Sequence, residues 1–152
     1  MIQRKQTLFL LIACILNAVC LCLPVAQLVP EGMGVSQSMT NLWVSLSDGS
    51  RDFSPWPLFA LLIVSTAVSL CTIFLYKNRM LQSRLCLLVI LLLVAWMAVY
   101  GTMTVMLAGD MSCQYRFSFA AVLPVVSLIL VFMARRGVIA DEKLVRSMDR
   151  IR

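Results

Sequence analysis

The chain has 152 residues, of which 61% are hydrophobic and only 13% are charged, and its mean hydropathy is +0.93. A soluble globular domain is nearer to roughly 45–50% apolar and about 25% charged, so these values exclude an ordinary soluble fold and indicate an integral membrane protein. The formal net charge of +6 comes from basic residues divided among three segments that flank apolar runs. We therefore interpret the charge as a topology signal and expect no nucleic-acid binding.

Uncharged apolar stretches predict four transmembrane helices. The clearest stretch is bracketed by Arg84 and Asp110. About 20 apolar residues in a helix cross a membrane, and inside lipid only a helix or a closed barrel satisfies every backbone amide. We place the spans at about 7–28, 55–76, 85–108 and 117–134. The predicted fold is an all-α membrane protein, a four-transmembrane-helix bundle formed by residues 1–152 as a single domain.

The basic residues predict the orientation of the bundle. Eleven of the thirteen lysines and arginines precede the first span, separate the second span from the third, or follow the fourth, while Arg51 and Arg116 lie in the other connections. Because loops rich in lysine and arginine stay in the cytoplasm, both termini are predicted to be cytoplasmic. Residues 30–54 then form an outer loop, in which the strand-like run Asn41–Leu46 predicts a small hairpin.

The first span has a small residue at every fourth position, Cys14, Ala18, Cys22 and Ala26. Such a stripe lets another helix approach closely. Pro24 is predicted to kink or end this helix near the outer surface. The segment Leu11–Cys14 is similar to the cleavage site of bacterial lipoproteins, but the apolar run continues well beyond it, so we expect no cleavage.

The second and third spans also have small or polar faces. Ser65, Ser69 and Thr72 share a face of the second span. Hydroxyls in such helices usually bond to a carbonyl of the preceding turn or to a neighbouring helix. The alternative is a polar pathway along this face. The third span has Ala98, Gly101 and Thr102 close together, which predicts that it lies at the centre of the bundle.

The predicted spans contain no aspartate, glutamate, lysine or arginine, and the chain contains no histidine. Ion-coupled transporters and proton relays need ionisable groups within the membrane, and we find no phosphate-binding glycine loop or histidine metal site. We therefore expect no enzymatic activity, catalytic residue, cofactor or metal. The strongest buried polar group is Asn17, for which we expect an interhelical hydrogen bond. A disulfide between Cys22 and Cys113, and with it a thiol–disulfide enzyme, is a further hypothesis.

The cytoplasmic tail, 135–152, is predicted to form a short amphipathic C-terminal helix. Its apolar residues fall on one helical face and its charged residues on the others. Such a helix can lie on anionic inner-leaflet lipid or dock its apolar face on a partner protein, and the sequence leaves both readings open. The residues assigned to this docking tail are Asp141, Glu142, Leu144, Val145, Arg146, Met148, Arg150 and Arg152.

Both ends of the chain resemble one known family of bacterial membrane proteins, catalogued as domain of unknown function 4293. The start that carries the resemblance is Met1-Ile2-Gln3-Arg4 followed by Gln6-Thr7-Leu8, and the end is Asp141-Glu142-Lys143-Leu144-Val145-Arg146-Ser147 followed by Asp149-Arg150-Ile151-Arg152. The resemblance implies a four-helix protein of the bacterial inner membrane. The family has no assigned activity from which site residues could be transferred.

From these patterns we expect a non-enzymatic subunit or accessory factor of an inner-membrane complex, whose tail docks a partner protein or anionic lipid. The expectation depends on the small-residue stripes, on the lack of catalytic groups and on the distinct composition of the tail. The alternative is a carrier or channel for a neutral or lipidic small molecule, which would use the hydroxyl face of the second span. A homo-oligomer is compatible with either function.

Overall fold

The computed structural model describes residues 3–30, 36–46, 48–75, 78–111 and 113–149. The helices within these ranges are α1 (Gln3–Cys22), α2 (Trp56–Phe74), α3 (Arg79–Met111) and α4 (Leu123–Asp149), and a 3-10 turn, Phe119–Val122, precedes α4. The strands are β1 (Ala26–Pro30), β2 (Gln37–Met39), β3 (Val44–Ser45), β4 (Arg51–Asp52) and β5 (Cys113–Phe117). The predicted helical bundle is therefore present, and a small sheet accompanies it.

The helices form an up-and-down bundle. Each helix packs against the helix that follows it in the chain, and α4 packs back against α1. The Ser127 hydroxyl of α4 lies next to the Ala13 carbonyl in the middle of α1, and the Cys20 thiol near the end of α1 lies next to the Ala120 carbonyl that precedes α4. These contacts show that α1 and α4 are antiparallel and that together they close the ring of four helices.

Most buried side chains of each helix form a seam in which the spacing alternates between four and three residues. The seam consists of Gln6, Leu10, Ala13, Asn17 and Cys20 of α1, Leu58, Leu62, Ser65, Ser69 and Thr72 of α2, Gln82, Cys86, Val89, Leu93, Trp96 and Tyr100 of α3, and Ser127, Val131, Ala134, Val138 and Asp141 of α4. This spacing is the heptad repeat of coiled coils, which keeps one seam of each helix towards its neighbours. Leucine, isoleucine, valine and phenylalanine dominate the exposed faces, a distribution compatible with a membrane protein.

Within the described ranges, three helical segments are long and apolar enough to cross a membrane, namely Trp56–Phe74, Met80–Leu107 and Phe119–Glu142. The apolar helical stretch of α1 is shorter and ends at Cys22. The first predicted span was therefore too long. Its helix stops two residues before Pro24, as predicted, because proline lacks the N–H that a continuing helix needs. The residues that follow enter β1.

The five strands form one antiparallel sheet in the order β4-β3-β2-β1-β5. The sheet lies where α1 and α3 end and α2 and α4 begin, which we call the sheet end of the bundle. Ala26, Met39 and Val44 are in register across three strands and are completely buried. A neighbouring row, one residue from each strand, is polar throughout and consists of Arg116, Gln27, Ser38, Ser45 and Arg51. One face of the sheet therefore belongs to the core.

Two boundaries differ from the sequence prediction. The outer-loop hairpin is extended into a sheet by β1, which ends at the first residue of the predicted loop at 30–54, and by β5, which lies outside that loop. These two strands pair through backbone groups far apart in the chain. The C-terminal tail does not form a separate short helix, because α4 continues without a break from Leu123 to Asp149. No proline interrupts it after Pro124, and its buried seam continues as far as Asp141.

Candidate functional site at the junction of α1 and α4

The start of α1 and the last turns of α4 meet in a buried polar contact at the end of the bundle opposite the sheet. Gln6 Nε2 donates a hydrogen bond of 2.7 Å to Asp141 Oδ2. The Gln6 side chain is only 6% exposed and that of Asp141 only 8%. A hydrogen bond to a carboxylate shielded from water is stronger than one between neutral surface groups, so this contact fixes the position of α1 on α4.

Gly137 makes room for this contact. It lies one helical turn before Asp141, and a Cβ atom built on it would lie 3.1 Å from both Cγ and Nε2 of Gln6. That distance is shorter than an ordinary van der Waals contact. The lack of a side chain at Gly137 therefore allows the Gln6 side chain to lie against the backbone of α4, as small residues do where helices approach closely. We call Gln6, Gly137 and Asp141 the terminal junction.

The other helices also bring polar groups to this end of the bundle. Thr72 of α2 and Gln82 of α3 are buried, near the connection between these two helices. The Nε atom of Arg135 on α4 is buried and has no hydrogen-bond partner among the described residues. Across the described ranges, no group of three or more histidine, cysteine, aspartate or glutamate side chains could hold a metal ion.

The chain continues beyond the terminal junction as an exposed helical end of α4. Leu144 and Val145 are exposed by 56% and 44%. Glu142 is half-buried, and Asp141 is buried. The prediction that Asp141 belongs to an exposed docking surface is therefore wrong, because its carboxylate faces α1. Of the other predicted docking residues, Arg146 and Met148 lie within α4, while Arg150 and Arg152 lie outside the described residues.

The opposite, sheet end is held together by a second polar network around Asn41, which lies between β2 and β3. Asn41 Nδ2 donates to the backbone oxygen of Cys20 at 2.7 Å, and Trp96 Nε1 donates to Asn41 Oδ1 at 3.2 Å. The carbonyls of the last helical turn have no partner within their own helix, so Asn41 supplies one for α1. Tyr100, stacked on Trp96 with 5.0 Å between ring centroids, donates from its hydroxyl to the Val25 oxygen at 2.8 Å.

A comparison with family models identifies the chain. Residues 2–151 match the model described as Domain of unknown function (DUF4293). The chain belongs to this family. A search of curated proteins gives no match.

The family resemblance found at both ends of the sequence is thus confirmed, and the fold adds a spatial relationship to it. Gln6 belongs to the opening segment on which the resemblance was based, and Asp141 belongs to the closing segment. These two segments of the DUF4293 chain are in direct contact through the terminal junction. Because the family's description names no activity, the function must be argued from this geometry.

The residues predicted for helix packing divide into two groups. Cys14, Ser65 and Ser69 are buried. Ser65 Oγ donates to the Leu62 oxygen at 2.9 Å, and Ser69 Oγ donates to the Ser65 oxygen at 2.8 Å. Both hydroxyls are therefore bonded to their own helix, which is the more ordinary of the two roles that the sequence allowed.

The second group is exposed in this DUF4293 chain and consists of Ala18, Cys22, Ala98, Gly101 and Thr102. The prediction that these residues pack inside the bundle is wrong. On α3 the buried seam runs through Trp96 and Tyr100 instead, since these rings reach the sheet end and make hydrogen bonds there. The heptad spacing of larger side chains is the sequence signal that could have identified this seam, and the small residues did not identify it.

The cysteines do not support the thiol–disulfide hypothesis. Among the described residues Cys14, Cys20, Cys22, Cys71 and Cys86 are free thiols. Cys113 is paired in register with Pro30 at the far end of β1, eight residues beyond Cys22 along the chain.

Asn17 is completely buried in the middle of α1. Neither its Nδ2 nor its Oδ1 atom has a hydrogen-bond partner in the described part of the chain, so the expected interhelical bond is not found. Burying an amide without a partner costs about 1–3 kcal/mol in proteins. This residue therefore requires an explanation of its own.

Proposed function

We propose that this chain is a non-enzymatic integral membrane protein, a subunit or accessory factor of a complex in the bacterial inner membrane, and that the exposed end of α4 docks a partner protein. The observation that supports the proposal most directly is the continuity of α4. The helix runs from the apolar segment Phe119–Glu142 to Asp149 without interruption. A surface on such a helix is held at a fixed position relative to the membrane.

The terminal junction strengthens this reading. Because Asp141 bonds to Gln6 on the inner side of α4, the last turns of the helix are attached to the bundle before they leave it. Leu144 and Val145 follow within one turn and are exposed. They lie beyond the apolar segment Phe119–Glu142, where exposed apolar side chains can contact a partner protein.

We further propose that α1 crosses the membrane together with the other three helices. Its 20 residues correspond to roughly 30 Å of helix, which is close to the thickness of the hydrocarbon core. The side of α1 that faces away from the bundle carries Leu8, Leu11, Ile15 and Val19. Within the described ranges, Arg51 and Arg116 lie in the sheet, and the other eight basic residues lie towards the opposite end of the bundle, which supports cytoplasmic termini and an external sheet.

This orientation can be tested with a membrane-impermeant thiol reagent applied to intact cells. Ser50→Cys near the sheet and Ser147→Cys near the end of α4 both place a thiol at an exposed position. We expect labelling above that of the parent chain at position 50 in intact cells, and at position 147 only after the membrane is opened. The opposite pattern would contradict the proposed orientation.

The structure favours the accessory role over the carrier or channel. A polar pathway along α2 needs hydroxyls that are free to contact a passing molecule. Ser65, Ser69 and Thr72 are all completely buried, and each donates its proton to a carbonyl of its own helix. We therefore expect proteoliposomes containing the purified chain to show no flux of neutral solutes or lipids above protein-free liposomes.

The docking proposal is tested by purifying a tagged chain in mild detergent, followed by quantitative mass spectrometry and a size measurement. The double variant Leu144→Glu, Val145→Glu places charge on the proposed surface, and Ser147→Glu is a matched control on an exposed neighbouring position. We expect a near-stoichiometric companion with the wild-type chain and the control, and its loss from the double variant. A companion retained by the double variant, or a wild-type chain that purifies alone, would refute the docking surface. If no protein companion is found and the purified chain binds anionic vesicles instead, the surface contacts lipid.

A further inference from the structure

Two asparagines of the bundle are completely buried but differ in their partners. Both ends of the Asn41 amide are bonded, to Cys20 and Trp96, whereas neither end of the Asn17 amide has a partner among the described residues. Nearly all buried polar groups in folded proteins bond either to protein or to ordered water. The contrast between the two asparagines therefore indicates a ligand at Asn17.

Ser127 of α4 contacts the turn of α1 that precedes Asn17. Ser127 is completely buried, and its Oγ lies 3.3 Å from the backbone oxygen of Ala13. Ala13 is one helical turn before Asn17 on the same buried seam. Side chains of a helix lean towards the preceding turn, so the Asn17 amide lies over the turn of α1 that Ser127 contacts.

The remaining hydrogen-bonding capacity of these two groups is complementary. The Ser127 hydroxyl donates its proton to Ala13, which leaves its oxygen lone pairs able to accept. The Asn17 amide offers two donors on Nδ2 and an acceptor on Oδ1. A water molecule can accept from Nδ2 and donate to Ser127 Oγ, which meets the two to four polar contacts, roughly, that buried waters make.

We propose that one water molecule is bound inside the bundle between Asn17 of α1 and Ser127 of α4. The site is independent of the docking surface on α4, since it lies in the middle of the bundle. Water is the ligand that fits because the groups are neutral, are completely enclosed and need both a donor and an acceptor from one small molecule. The site joins the two helices whose contact closes the ring.

Asparagine-selective ¹⁵N labelling offers a direct test, because the chain contains only three asparagines, Asn17, Asn41 and Asn78. Asn78 is exposed and serves as the control for contact with bulk water. In nanodiscs we expect the Asn17 side-chain amide to show a water cross-peak of opposite sign in NOE and ROE experiments, as dipolar contact with a bound water gives. Asn41 should show none, and Asn78 should show exchange. Absence of a cross-peak at Asn17, or an equal one at Asn41, would overturn the proposal.

A pair of serine variants locates the second contact of the water. Ser127→Ala should abolish the Asn17 cross-peak or replace it by exchange with bulk water. Ser69→Ala removes another buried hydroxyl that bonds to its own helix and should leave the cross-peak unchanged. An unchanged cross-peak in Ser127→Ala, with the fold intact by amide chemical shifts, would contradict the assignment of Ser127.

Discussion

Gln6 and Asp141 are 135 residues apart in the chain, and their side chains are joined by a hydrogen bond of 2.7 Å. The contact connects the first turns of the bundle to the last and is shielded from water on both sides. In a ring of four helices, α1 and α4 are the pair that no loop connects. A buried amide–carboxylate bond at this position supplies a connection that the chain itself does not.

We expect Gln6→Leu and Asp141→Leu each to lower the free energy of unfolding by about 1–3 kcal/mol, because each leaves the other polar group buried with one partner fewer. The double variant should lose less than the sum of the two, with a coupling of roughly 0.5–3 kcal/mol. Denaturant unfolding in one detergent would measure all four chains. Strictly additive losses would show that the two side chains do not stabilise each other.

Two helical glycines allow the role of close approach to be separated from helix propensity. Gly101→Ala adds a methyl group where nothing lies within 4 Å and should stabilise the chain by up to about 1 kcal/mol, since alanine is the better helix former. Gly137→Ala makes the same change against Gln6 and should be less stable than Gly101→Ala by about 1 kcal/mol or more. In a Gln6→Ala background this difference in stability between the two glycine variants should disappear. A difference that persists would mean that contact with Gln6 is not the reason for the lower stability of Gly137→Ala.

The helical part of the fold could be predicted because the length of an uncharged apolar stretch is a local property of the sequence. α2, α3 and α4 correspond to predicted spans, and Pro24 correctly indicated the end of α1. The sheet could not be predicted in the same way. β1 and β5 pair residues such as Gln27 and Arg116, and nothing local in either segment specifies a partner so far along the chain.

The candidate site was predicted only in part, because its central contact also joins residues that are far apart in the chain. The sequence identified the tail as distinct and placed Leu144 and Val145 on its apolar face, and both are exposed. It assigned Asp141 to the same docking tail, because the acidic residues of this segment favoured a protein partner over lipid. Only the contact with Gln6, across the ring of helices, shows that this carboxylate belongs to the interior.

Asn41 is predicted to be the most sensitive polar residue of the sheet end. Asn41→Ala removes the partner of the Cys20 carbonyl and of the Trp96 indole together, so the free energy of unfolding should fall by about 2–4 kcal/mol, the larger value arising if both groups remain buried. Asn78→Ala, at an exposed position, is the matched control and should change it by less than about 0.5 kcal/mol. Equal effects would mean that the network does not hold the sheet on the bundle. Hydrogen exchange at β2 and β3 should accelerate only in the first variant.

Tyr100→Phe is expected to have a much smaller effect than Asn41→Ala. The substitution removes the hydroxyl that donates to the Val25 oxygen but keeps the ring stacked on Trp96. Val25 still accepts from the Ser118 backbone amide at 3.4 Å, so its carbonyl keeps a partner. The loss should lie at the lower end of the range for a single hydrogen bond, about 0.5–1 kcal/mol. A loss as large as that of Asn41→Ala would show that this second hydrogen bond to Val25 does not compensate.

The same substitution on two helices tests which face of each helix is inside the bundle. Ser69 is completely buried on α2, while Thr102 is exposed on α3 and donates only to the Val99 oxygen of its own helix. Ser69→Leu forces a larger side chain into a packed seam and should destabilise the chain by about 1–3 kcal/mol. Thr102→Leu adds an apolar side chain to an apolar outer face and should leave stability within about 0.5 kcal/mol of the parent. Unfolding in detergent gives both values, and a size measurement on the Thr102→Leu sample supplies the second readout. The outer face of α3 contacts a second copy of the chain rather than lipid if Thr102→Leu lowers the free energy of unfolding, or if its particle in detergent is smaller than that of the parent chain.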